Sequence, residues 1–136
     1  MGLVALAVVG LTGCAPDSTS MVRDFLASDR EADDALPEWA ETDGSDPDSS
    51  RQVGTLDDVV YYVAEFANPE TGAPGVCVIL VSGADDFANS ACGDQPALWS
   101  TGSETGSARL VEKDDELPDG WTRLSDFLIV NRDITS

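Results

Sequence analysis

Three cysteines, one lysine and 26 acidic side chains carry most of the chemistry available to this 136-residue chain, and they stand beside no histidine at all. Without an imidazole, no Ser-His-Asp or Cys-His nucleophile can be assembled, and histidine-ligated metal centres are excluded as well. A serine–lysine dyad would have to use Lys113, which lies in the charged stretch EKDDE. Among carboxylates that amine keeps its proton and makes a poor general base. Carboxylate pairs suit glycoside hydrolysis, but 26 acids bring pairs together by chance. No catalytic residue is therefore expected.

Inorganic and nucleotide ligands fare no better. Asp43, Asp46 and Asp48 cluster in TDGSDPDSS, and hard cations favour closely spaced carboxylates and carbonyls. With Asp46 as the first position of a calcium loop, however, Arg51 would stand where the loop needs glycine. Pro47 and the serines point instead to a solvated link. Cys77 and Cys92, far apart and without histidine, fall short of four zinc ligands. STGSETGS has the glycines and hydroxyls of a phosphate loop but lacks its terminal Lys-Ser/Thr, and Glu104 opposes a phosphate. No metal and no cofactor are expected. The net charge of −19 makes nucleic acid an unsuitable partner, because phosphate binding requires clustered Lys and Arg. Aromatic side chains are the remaining binding candidates: Trp99, Trp121 and Tyr62, with Trp99 beside the glycine-rich loop expected to be the most exposed. The competing reading has Trp39, Trp99 and Trp121 capping a small core.

Cys14 ends a different kind of stretch. The ten residues Gly2 to Leu11 (GLVALAVVGL) are uncharged and apolar, too few to span a bilayer, which takes about 20. They suit the apolar region of a secretory signal, and the first basic residue of the chain is Arg23. Leu11-Thr12-Gly13-Cys14 resembles the lipobox of bacterial lipoproteins, with leucine three positions before the cut, small residues after it, and then the cysteine. That resemblance implies a signal peptide over residues 1–13, a diacylglyceryl group on the Cys14 sulfur, and Cys14 as the first mature residue. It places the protein at the cell membrane, lipid-anchored and facing outside the cytoplasm. The other reading, in which residues 2–11 form a buried helix or strand of a cytosolic domain, fits the polar stretch APDSTS less well.

With Cys14 carrying lipid, Cys77 and Cys92 remain as a pair, and an oxidising compartment favours a disulfide between them. Closing so short a loop contributes about 3 kcal/mol. The acidic charge opposes adsorption to anionic lipid, so attachment would rest on acyl chains.

These residues need elements to position them. Residues 14–20 read as the lipidated cysteine and a tether, and residues 21–136 as a single domain with an acidic loop at 41–50. Met21, Val22, Phe25 and Leu26 form a helical stripe that Ser20 could cap. Ser28 and Glu31 have the spacing of a capping box for a further turn ending before Pro37, with Trp39 packing back on the domain. Arg51–Thr55 and VVYYVAEF (59–66) read as strands, the second apolar on both faces and hence central. NPETGAPG supplies a turn, and VCVILV (76–81) returns as a buried strand. Weaker strands follow at 87–92, 97–100 and 108–112, then KDDELPDG as a polar connection, re-entry at 121–124 and a last strand at 127–130. The expected fold class is α+β: an N-terminal helix packed on a small, mostly antiparallel sheet stapled by one disulfide.

From about residue 20 to 132 the chain also resembles small actinobacterial lipoproteins of uncharacterised function, through DPDSSRQVG, YYVA, GVCVILV with SACG, ARLV and LPDGWTRLSDFLIVN. The resemblance implies a surface lipoprotein with one disulfide and imports no activity. The expected role is a non-enzymatic binding or accessory module, monomeric, meeting an unidentified envelope protein or small ligand. A small carboxylate-dependent envelope hydrolase is the alternative.

Overall fold

The computed structural model describes residues 18–40, 45–83, 87–93, 99–102 and 106–132. Cys14 and the expected signal lie outside them. Helix α1 spans Ser18–Leu26, and two short 3-10 turns follow at Ala32–Asp34 and Glu38–Ala40. Eight strands come next: β1 Ser45–Leu56, β2 Val59–Ala67, β3 Pro74–Ser82, β4 Phe87–Gly93, β5 Trp99–Gly102, β6 Gly106–Leu110, β7 Thr122–Ser125 and β8 Leu128–Asn131.

The strands form two antiparallel sheets, ordered β1-β2-β3-β4 and β5-β6-β8-β7. β2 and β3 are the expected apolar hairpin, paired without interruption from Val59–Ser82 to Ala67–Pro74. Alternation decides which face each side chain takes. Val59, Tyr61 and Val63 of β2, with Val76, Val78 and Leu80 of β3, point toward the second sheet. There they meet Ala108 and Leu110 of β6 and Leu128 and Val130 of β8, and Val22, Leu26 and Phe127 complete this main core. Each buried Val or Leu contributes about 1.5–3 kcal/mol relative to an exposed one. At the margins β4 lies against β5 and β1 against β7, where Gly54 faces Leu124.

The other face of the first sheet carries a second core of Tyr62, Ala64, Cys77, Ile79, Val81 and Ala40. Cys77 and Cys92 stand directly opposite in the β3–β4 ladder, Cα atoms 4.1 Å apart, and form the expected disulfide.

The fold is therefore β-rich, and the expected α+β class is corrected: α1 has nine residues and packs on a two-sheet core. Two physical reasons account for the difference. Period-two alternation shows which residues make strands but not whether successive strands extend one sheet or face it from a second. In addition, DPDSS continues an edge strand rather than forming a loop, because β1 pairs with β2 from Ser45↔Phe66 onward. The register slips between Asp46/Arg51, and Glu65 donates its N–H to Ser49 Oγ at 2.8 Å there, so a side chain stands in for a ladder carbonyl. Of the expected acidic loop, residues 45–50 are thus strand, and 41–44 lie outside the described residues.

Smaller expectations change for local reasons. α1 already runs at Ser18, so Ser20 lies within the helix rather than at its cap, and residues 18–20 of the expected tether are helical. Ser28 Oγ donates to the carbonyl of Phe25 at 2.6 Å, closing α1 instead of opening a new helix. Trp39 is 47 % exposed rather than packed back on the domain.

Candidate functional site

The sequence-derived binding residues are not brought together. Tyr62 is buried at 6 % exposure in the second core. Burial raises its hydroxyl pKa, and the charges of Asp33 and Asp34 raise it further. Trp121 is half-buried on the outer face of the second sheet, with Arg109 Cζ 5.4 Å from its ring centroid in a cation–π contact. Trp99 stands opposite Arg109 in the β5–β6 ladder, and its expected exposure falls outside the described side chains. Arg109 in turn stands opposite Ile129, which is fully buried although it lies on the face away from the main core. The chain between β6 and β7 accounts for this. Both strands run antiparallel to β8 between them, so residues 111–121 must return along the sheet. Arg123 Nη2 donates to the Asp115 carbonyl at 2.9 Å and ties that segment down.

The acidic residues divide in the same way. Asp46 Oδ1 accepts the N–H of Asp48 at 3.1 Å, a local turn contact, while Asp43 lies outside the described residues. Among the described residues no group of three or more His, Cys, Asp or Glu could hold a metal ion. Among the described residues Asp34 is the buried carboxylate, and both its oxygens are engaged with backbone: Oδ2 accepts the N–H of Glu31 at 2.7 Å and Oδ1 that of Gln52 at 2.8 Å. Burial pushes its pKa up, but those two hydrogen bonds and the charges of Arg51 and Arg30 outweigh burial and leave it below the ordinary value. Ser50 Oγ donates to the Asp34 carbonyl at 2.6 Å, and Arg30 donates to Ser50 Oγ at 3.0 Å. This network straps residues 28–40 over the second core.

Among the described residues, two cavities lie on the flanks of α1, where the helix packs against β1, β2 and β3. One, of about 470 Å³, is lined by Arg23, Asp46, Glu65, Phe66 and Pro74 among others. It opens where β1 begins, β2 ends and β3 starts, and Arg23 Nη2 donates to the Pro74 carbonyl there at 3.4 Å. The other, of about 350 Å³, is lined by Met21, Asp24, Phe25, Val53, Asp126 and Phe127, with Ser125.

Local sequence explains the second groove. Gln52 pairs with Tyr62 and Gly54 with Tyr61, so Val53 is the extra residue of a β-bulge. A bulge re-aims a side chain off the regular alternation, and Val53 here lines the groove. On the facing side, Phe127 donates its N–H to Ser125 Oγ at 3.2 Å, and Arg123 Nη1 donates to the carbonyl of Asp126 at 3.2 Å. That tight turn sets the Phe127 ring 5.4 Å from Phe25, tilted by 54°. No family model, curated protein or solved structure matches the chain. The argument for a site therefore rests on geometry. Sequence reasoning placed Met21 and Phe25 on a helical stripe and Phe127 in the last strand and missed the groove, since the bulge at Val53 leaves no mark in the local pattern.

Proposed function

We propose that this chain is a lipid-anchored, non-enzymatic binding module of the bacterial cell envelope, facing outside the cytoplasm. The observation that carries the reading is the position of α1. This helix, hollowed on both flanks, begins at Ser18, four residues after the cysteine of Leu11-Thr12-Gly13-Cys14. Four extended residues reach only about 14 Å. An acyl-bearing Cys14 would therefore hold both grooves close to the bilayer surface. The resemblance to small actinobacterial lipoproteins points the same way. The acidic charge of −19 supports anchoring by acyl chains rather than by surface adsorption.

The test is expression of the chain and its Cys14→Ser variant in an actinobacterial host. The parent should partition with membranes and carry the mass of a diacylglyceryl group on a chain starting at Cys14. The variant should appear in the soluble fraction without that mass. A variant that remains fully membrane-bound with the same added mass overturns the proposal.

A further inference from the structure

We propose that the groove between α1 and the β7–β8 turn binds a small organic ammonium ion, its apolar body on Met21 and Phe25 and its charge between Asp24 and Asp126. Three observations converge. The groove's volume of about 350 Å³ falls at the small end of ligand pockets, which run from about 300 to 1,000 Å³. Its apolar surface comes from the partly buried Met21, Phe25 and Val53, with the buried Phe127 ring packed against Phe25 at 5.4 Å behind them. Its charged lining residues are both acids, Asp24 on α1 and Asp126 on the turn, contributed by opposite walls.

Among the described residues, neighbouring cations leave these carboxylates open to a ligand. Arg123 Nη1 and Nη2 donate to the carbonyls of Ser125, Asp126 and Asp115, not to carboxylates. Arg23, adjacent to Asp24 in the chain, lines the other groove and donates to the Pro74 carbonyl. An anionic ligand would meet two negative walls inside a chain of charge −19, whereas a cation is attracted by both the local and the overall field. A neutral apolar ligand would use the apolar surface and leave the acids without a role. The ammonium reading satisfies both parts of the groove.

This inference rests on the grooves beside α1 being the binding site of the proposed module. It is tested apart from the anchor, on the full chain carrying Cys14→Ser with its disulfide intact, so failure of lipidation leaves the result unaffected. Phenethylammonium is titrated against 2-phenylethanol and phenylacetate, with binding read from amide chemical shifts. The ammonium should bind most tightly, shifting Asp24, Phe25, Val53 and Asp126, and added salt should weaken it. Asp24 and Asp126 are exposed, so Asp24→Asn and Asp126→Asn should fold like the parent; each should raise Kd about two- to fivefold. Equal binding of the alcohol, shifts confined to the Arg23 groove, or an unchanged Kd in the double variant overturns the proposal. So does binding of a lysine-containing apolar peptide when the small ammonium ion does not bind.

Discussion

Asp34 and Gln52 are joined by a hydrogen bond of 2.8 Å from the Gln52 N–H to Asp34 Oδ1, across 18 residues of chain. The same carboxylate closes the 3-10 turn through Glu31, so one acidic side chain attaches the strap of residues 28–40 to β1.

Asp34→Asn turns one carboxylate oxygen into a donor that faces a backbone N–H. It should lower the unfolding free energy in urea by about 1–3 kcal/mol, the cost of a buried polar group left unpaired. The parent should also be acid-sensitive in a way the variant is not. Its folded pKa lies below the ordinary carboxylate value of 3.8, so the unfolded chain takes the proton first. The contribution is complete above 3.8 and is lost as pH falls through the folded value. Urea midpoints measured across that range should converge for the two proteins at the acid end.

The Cys77–Cys92 disulfide closes a sequence separation of 15 residues across adjacent strands. Replacing both cysteines with alanine should destabilise the domain by about 3 kcal/mol, chiefly by freeing the unfolded chain. The parent in excess reductant should unfold at nearly the midpoint of the double variant. An unchanged parent midpoint under full reduction would contradict this.

Tyr61 is fully buried, and its hydroxyl has no hydrogen-bond partner among the described residues. Burial pushes its pKa up to about 12; the Arg132 charge lowers it and Asp57 and Asp58 raise it. Tyr61→Phe removes the unpaired hydroxyl and should raise stability by about 1 kcal/mol in thermal unfolding. Because the unfolded phenol ionises first, near 10, the parent should also lose stability as pH rises above that value while the phenylalanine variant loses less.

Two glycines with positive φ should respond differently to alanine. At Gly106, with φ of +76°, an added Cβ would collide with the Asn131 carbonyl oxygen. At Gly72, with φ of +74°, it would meet nothing within 4 Å. Gly72→Ala should cost about 1 kcal/mol through left-handed backbone strain alone. Gly106→Ala should cost several times more or abolish folding, as read by circular dichroism and urea titration.

What the sequence by itself determined is local. The double-sided apolar character of VVYYVAEF and VCVILV announced the β2–β3 hairpin, NPETGAPG its turn, and the absence of histidine the missing catalytic classes. Cys77 and Cys92 were legible as a pair by counting, and the register then set them face to face. Tertiary structure alone decided that the later strands form a facing sheet, that DPDSS pairs as an edge strand, and that Tyr62 is buried while Trp39 is exposed. It also decided the groove, whose walls come from residues 21–25, 53 and 125–127. Alternation and turn chemistry act within a few residues, so they are written in the local sequence. Sheet order, a bulge's register and a cavity wall depend on packing between segments a hundred residues apart, and no local pattern encodes them.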